Sequence, residues 1–338
     1  MKKINAPVMC VLFLLILTGC FSPRSYESNN YKGFTSKTEE RFIGQKLHPL
    51  LIKKFGGKHH NEKLSEYVDA VGQRIVANSK ILDITFKFFV TDSSIVNAHS
   101  LPGGYIYINR GLLSLINTED ELAAMLSHEI AHVVARHYSD RSAYLMLSKD
   151  LSVKPSTDHS IIIEKTPSTG LKVELLLMHF ARENEYQADR MALEYLVESG
   201  YNANSIYDLL KTIIKFKSLN STIYGERYPN YTKNIMYSHP PLDMRISRLK
   251  KILGHYNNRP KRKNIGNYIN QIDGLFLGKN KENKRISIAK ITVEKGDTVE
   301  TLSKLNNIMG KKESWFRVLN GMDSSDEVFI GQAVKLVM

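Results

Sequence analysis

The sequence predicts an α+β fold: a mostly helical body carrying one small β-sheet, followed by a compact βααβ unit at the C-terminus. Three observations carry this expectation. Apolar residues recur at helical spacing over 41–55 and 64–76, again after Thr118, and over 171–199. A single β-rich stretch, 84–108, interrupts them with Ile, Phe, Thr and Tyr at strand positions. From Ile291 onward the text changes, and strand, helix, helix and strand signals crowd into residues 291–338.

The chain opens MKKINAPVMCVLFLLILTGC, in which Lys2 and Lys3 precede an apolar run, 8–17, too short to span a bilayer as a helix. Residues 1–19 therefore read as a secretory leader. Leu17-Thr18-Gly19-Cys20 resembles the bacterial lipobox, which implies that Cys20 becomes the first mature residue and carries lipid. Phe21 and Ser22 follow it where an Asp would resemble the inner-membrane sorting signal. The implied location is the periplasmic face of a Gram-negative outer membrane.

Cys10 lies in the leader and Cys20 at the lipid site, and these are the only cysteines of the 338 residues. A disulfide framework and thiolate metal ligation are both excluded, so any metal site must use His and carboxylates. Loss of Lys2 and Lys3 with the leader lowers the formal charge from +13 to +11. Much of the basic excess sits in 250–290, where 11 Lys or Arg face Asp273 and Glu282 alone. Such a run reads as a solvated linker or as a surface for anionic lipid or cell-wall polymer; export argues against nucleic acid as a partner. Residues 20–35 are polar and without periodicity, as a tether between lipid and globule requires.

In the body, Gly56-Gly57 separates the first two helices, and Pro102-Gly103-Gly104 turns the chain between strands at 84–90 and 105–108. Thr118 and Glu121 form a capping-box pattern, with Glu119 and Asp120 at the positive end of the helix that follows. That helix contains His128-Glu129-Ile130-Ala131-His132. A four-residue separation puts both imidazoles on one face, where they can grip one ion. Leu122, Met125, Leu126, Ile130 and Val133 make the helix apolar, so Glu129 needs a task there; taking a proton from a zinc-activated water is one.

Catalytic zinc usually keeps three protein ligands, so a third is needed. A metzincin pattern fails, because it wants a glycine at 135 and a histidine at 138, where Ala135 and Tyr138 stand. His137, five residues after His132, falls off the ligand face and is expected at the surface. The helix over 171–199, which stops at Gly200, offers Glu185 and Asp189 four apart. One can bind the ion while the other orients an imidazole.

HEIAHVVARH followed by ENEYQADRMALEYL resembles the zinc metallopeptidase family that includes the HtpX heat-shock protease, the CAAX prenyl endopeptidases and the BepA-like periplasmic proteases. The resemblance covers most of 36–250 and implies a zincin-like peptidase domain whose small sheet edges the cleft. It implies one zinc per chain on His128, His132 and Glu185, with Glu129 as base and Asp189 behind a ligand. Asn97-Ala98-His99-Ser100-Leu101-Pro102-Gly103-Gly104 is similar to the family's element leading into the active-site edge strand, implying substrate contacts at Asn97, Gly103 and Gly104. His99 departs from the usual apolar residue. Ser238-His239-Pro240-Pro241 with Arg245 is similar to its oxyanion-stabilising segment, and the resemblance allows His239 to cap the zinc in a latent state. By periodicity alone, 242–249 reads as a turn entering an amphipathic helix.

The C-terminal stretch, with Asp297 and Glu300 as a capping pair, a helix near 314–319 and a strand at 333–337, is similar to a LysM module. That similarity implies binding of N-acetylglucosamine chains, with Trp315 as either core filler or sugar platform. The expected organisation is leader 1–19, lipidated tether 20–35, peptidase domain 36–250, basic linker or extension 251–290 and module 291–338. The expected function is a zinc metalloendopeptidase acting on misfolded or stalled envelope proteins. The alternatives are a non-catalytic peptidoglycan-binding lipoprotein that holds unfolded clients, and an endopeptidase of peptidoglycan cross-links.

Overall fold

The computed structural model describes residues 36–81, 83–138, 152–155, 161–164, 170–224, 242–256, 268–279, 282–308 and 310–338. The expectations for the leader, Cys20, the tether and His239, and part of the basic stretch 250–290, lie outside these residues. Helix α1 (Lys37–Lys54) starts earlier than its apolar spacing suggested, because Ser36 and Glu39 form a reciprocal capping box. Asn61 caps α2 (Glu62–Asn78).

Strands β1 (Lys87–Thr91), β2 (Ala98–Leu101) and β3 (Tyr105–Asn109) form a sheet ordered β1-β3-β2. β1 runs parallel to β3, and β2 pairs antiparallel along its other side, which leaves β2 as an edge. Phe88 and Val90 lie opposite Ile106 and Ile108 and point into the main core. On the opposite face Phe89, Tyr105 and Tyr107 surround His48 of α1, whose Nδ1 is 2.7 Å from the Tyr107 hydroxyl. The α1 helix approaches the sheet closely: a Cβ on Gly44 would fall 1.9 Å from the Pro102 carbonyl oxygen.

After a short α3 (Arg110–Leu115) comes α4 (Glu119–Val134), which runs beside β2 and packs along α5 (Gly170–Glu198). A hairpin of β4 (Ser152–Pro155) and β5 (Ile161–Glu164), unforeseen from the sequence, lies between them in the chain. Gly200, at φ +78°, ends α5 as expected, with the Tyr201 N–H returning to the Leu196 carbonyl. Helices α6 (Ser205–Tyr224) and α7 (Leu242–Leu253) complete the body. Among the described residues no helix is long and apolar enough to cross a membrane.

The 251–290 stretch contributes to the core. It contains α8 (Tyr268–Gln271), whose Tyr268 is buried and donates to the Leu113 carbonyl at 2.6 Å, and β6 (Phe276–Lys279). Strand β7 (Arg285–Thr292) runs through residue 290, pairing with β6 on one side and with β8 (Ala333–Val337) on the other. Between β7 and β8 stand α9 (Val299–Lys304) and α10 (Lys312–Leu319), around a small core of Val293, Val299, Leu302, Phe316, Met322, Val334 and Leu336. The cap of α9 is one residue later than expected: Thr298 pairs reciprocally with Thr301, while Asp297 accepts from the Glu294 N–H.

This unit is bonded to the body. Trp315 packs edge-on against Phe216 of α6, with ring centroids 5.9 Å apart, and Asp323 receives Lys211 and Lys215 of the same helix. Lys335 in the middle of β8 is fully buried, and its Nζ donates to the carbonyls of Ser114 and Ile116 at 2.8 and 2.7 Å. Burial pushes the Lys335 ammonium down, against the charge of Glu121, and pushes the Glu121 carboxyl up. Lys335→Ala should leave two buried carbonyls without a donor and a void beside α3, costing about 3 kcal/mol in urea unfolding. A loss under about 1 kcal/mol would show that this contact is replaceable.

Candidate metal centre

The first turn of α4 is fixed from several directions. Thr118 accepts the Glu121 N–H as expected, but the Glu121 carboxylate reaches back one residue further, to the Asn117 N–H at 2.7 Å. Glu119, buried, receives Tyr67 and Arg74 from α2 and the Tyr201 hydroxyl. Asp120 accepts the Asn202 N–H. The rest of α4 is buried on nearly every side, so His128 and His132 project into the interior of the molecule.

There the sequence-expected donors meet. Nε2 of His128 and Nε2 of His132 stand 3.0 Å apart, the first 3.2 Å from Oε2 and the second 3.2 Å from Oε1 of Glu185 on α5. Donors held about 2.0–2.1 Å from a shared tetrahedral ion are separated by about 3.3 Å, so the two imidazoles and the carboxylate, which meets each ring with a different oxygen, stand at spacings zinc can bridge. Two imidazoles and one carboxylate are also a common donor set for catalytic zinc. The residues therefore fit this ion, which the described donors would hold from three sides.

Behind the triangle, Asp189 Oδ1 lies 3.1 Å from Nδ1 of His128, one turn after Glu185 on the same face of α5. Arg245 of α7 closes the cluster, directing Nε and one Nη to the two Asp189 oxygens at 2.8 and 2.6 Å and the other Nη to Glu185 at 2.9 Å. Its guanidinium is thus engaged with carboxylates on two of its edges. Burial would push His128 down, as would Arg245, but Glu185 and Asp189 outweigh both and its pKa rises to about 9. His132 goes the other way, lowered by burial against the pull of Glu185. Burial would lift Asp189, yet Arg245 and His128 hold its carboxyl below the ordinary range. Glu129 is 3% exposed, and its charge acts on both His132 and Arg245.

His137 is not at the surface: it is 6% exposed, with Nδ1 2.8 Å from Nδ1 of His132. The spacing argument failed because α4 stops at Val134 and Arg136 adopts φ +58°, so the chain turns back. Gln187, whose Oε1 is 3.2 Å from His137 Nε2, was also missed. No glycine announces this turn, and the sequence carried no other signal for the contact. At the sheet, the Asn97 carbonyl accepts the Asn109 N–H and its side chain bonds Ala98 and His99, so Asn97 sets the start of β2. His99 stacks on Phe55. Gly103 and Gly104, at φ +79° and +92°, meet Arg41 and Thr85, where Cβ atoms would lie 2.8 Å from Arg41 Cα and 2.3 Å from the Thr85 oxygen. Backbone shape and packing thus require both glycines.

The sequence profile of peptidase family M48 matches residues 62–253, more than half of the chain. The chain belongs to this family. Within it, the chain is 28% identical over 151 residues to the putative beta-barrel assembly-enhancing protease of Vibrio cholerae, covering 42% of this chain and 31% of that protein. To the beta-barrel assembly-enhancing protease of Escherichia coli it is 24% identical over 192 residues, 54% and 38% of the two chains. To the mitochondrial metalloendopeptidase OMA1 of Schizosaccharomyces pombe it is 28% identical over 178 residues, 49% of each. The chain spans less than half the length of each of these relatives. The M48 match ends with α7, so it takes in Glu185, Asp189 and Arg245 and leaves out the C-terminal unit.

Removing Arg245 should expose the cost of the cluster. Arg245→Met is expected to destabilise the zinc-free protein by about 3–5 kcal/mol in urea unfolding, because it strips two buried carboxylates of their cation. Excess zinc should recover part of that loss. An equal loss with and without zinc would show that the ion does not share this charge cluster.

Proposed function

We propose that this chain is a zinc metalloendopeptidase of the bacterial envelope that hydrolyses peptide bonds in misfolded or stalled envelope proteins. The observation that supports this most is the His128, His132 and Glu185 triangle, with Glu129 next to His128 on a helix running beside an edge strand. When bound, zinc supplies Lewis-acid polarisation of a carbonyl and acidifies a water. Glu129, which follows His128 in the chain and is buried with it, would be the carboxylate that accepts that proton and passes it to the leaving amine. Asp189 orients His128 by accepting a hydrogen bond from its Nδ1–H.

Among the described residues no strand pairs with the outer edge of β2, and an extended peptide could add there by backbone hydrogen bonds. Asn97, Gly103 and Gly104 then act on substrate by shaping that edge. Arg245, given its bonds to Asp189 and Glu185, serves best as the clamp of the carboxylates, and the oxyanion role then rests on His239. Lipidation at Cys20 and a place at the outer membrane fit the leader and the names of the enterobacterial and Vibrio relatives. The C-terminal βααβ unit is read as the LysM-like glycan-binding part; Phe316 fills its core, while Trp315 packs outside that core on Phe216 of α6.

The test is cleavage of a reduced, unfolded polypeptide by the zinc-loaded protein beside Glu129→Gln. We expect the variant to keep one zinc and lose at least about 100-fold in rate. Undiminished cleavage by the variant would remove Glu129 from the chemistry. Absence of cleavage by both, with zinc bound, would favour the non-catalytic reading.

A further inference from the structure

His137 and Gln187 stand against the metal site without a part in the reading above. Two imidazole nitrogens 2.8 Å apart, as Nδ1 of His132 and Nδ1 of His137 are, must share one proton. Were His137 the donor, a neutral His132 would carry its own proton on Nε2, the atom that faces His128 and Glu185, and could not ligate. At the far side of the His137 ring, Nε2 faces the amide oxygen of Gln187 at 3.2 Å, an acceptor only. That places the His137 proton on Nε2 and its lone pair on Nδ1. The geometry points to His137, oriented by Gln187, as the positioning residue of His132: it accepts a hydrogen bond from the His132 Nδ1–H and keeps the Nε2 lone pair aimed at the ion. This rests on the reading of His132 as a zinc ligand.

The chain builds the arrangement locally. Ala135 closes α4 with its N–H on the Ala131 carbonyl, and Arg136 follows in the left-handed region at φ +58°. That conformation costs a non-glycine residue about 1 kcal/mol, and the pairing of its Nε with Glu40 of α1 at 2.7 Å holds it. The reversal swings His137 beneath His132. The two ligands consequently have unlike supports, a carboxylate behind His128 and a neutral imidazole behind His132. A second carboxylate at that place would add another negative charge to an interior that already holds Glu129, Glu185 and Asp189. A neutral relay fixes the tautomer without that charge.

The experiment measures zinc affinity by chelator competition, and the His132 tautomer by nitrogen-15 NMR, in the full chain and in His137→Leu, His137→Gln and Gln187→Met. Leucine fills the ring's space without an acceptor, whereas the glutamine oxygen can replace Nδ1. We expect His137→Leu to bind zinc about 10- to 100-fold more weakly, Gln187→Met to weaken it in the same direction, and His137→Gln to recover most of the loss. In the zinc-free protein, the leucine variant should lose the Nδ1–H preference of His132. Wild-type affinity and tautomer in both His137→Leu and Gln187→Met would overturn the relay while leaving the ligand reading intact. If wild type binds no zinc, or His132→Ala binds it as tightly, the ligand reading falls and the relay with it. Should His137→Leu fail to fold, Gln187→Met decides by the same two readouts.

Discussion

The buried charge cluster between α4, α5 and α7 is the constraint on which the rest of the structure depends. Glu129, Glu185 and Asp189 face a single guanidinium, Arg245, and all four residues are nearly inaccessible to water. Counted as ionised groups with neutral imidazoles, they leave the interior with two uncompensated negative charges. Removing one ion from water costs several kcal/mol even after relaxation, so such an interior stands only where a dication or protons complete the count. His128, held charged up to about 9 by Glu185 and Asp189 once they outweigh its burial, is the place where a proton does so without a metal. Metal binding in this chain is therefore tied to folding, since the ion replaces that proton and closes the balance.

Such a cluster tolerates little displacement, and both ends of α4 are fixed accordingly. At its start, Glu119 gathers Tyr67, Arg74 and Tyr201, while Asp120 takes the backbone after α5. At its end, the Arg136 and Glu40 pair joins α4 to α1, and α1 in turn presses on the Pro102 to Gly104 turn beside the edge strand. A chain of direct contacts thus runs from the ligand helix to the strand proposed to receive substrate. A donor triangle set on helices locked in this way keeps its geometry through packing rather than through the ligands alone.

How much of this could be read beforehand depended on whether a regular period carried the information. His128 and His132 on α4, and Glu185 and Asp189 on α5, are paired by the i,i+4 spacing of uninterrupted helices, and the structure brings all four together. The same rule sent His137 to the surface, because it assumed a helix that in fact ends three residues earlier. Alternation misleads in a similar way for β8. Val334 and Leu336 fill the small core, so Lys335 reads as facing solvent, yet its side of the strand is covered by the end of α3. The capping patterns near Thr118 and Thr298 marked the right helices and missed the bonding partners by one residue, since several neighbouring side chains compete for the same N–H groups. What sequence alone could not supply was the far side of each element.

The C-terminal unit illustrates what that far side decides. As text, 291–338 is a module that could hang from a basic linker; in the fold, β7 begins before the module and pairs with β6, whose neighbour α8 lies in the main core. Leu319 and Val337 belong to the same core as α4, and Lys335 saturates carbonyls one turn before the capped start of that helix. Cutting the chain at residue 290 would therefore divide a paired strand, open apolar surface on the body and orphan two buried oxygens next to Asn117. A glycan-binding adaptor joined by a free linker would leave its neighbour unaltered when removed. Here the unit supports the ligand helix, so any partner it engages acts on a part of the molecule that is continuous with the metal site.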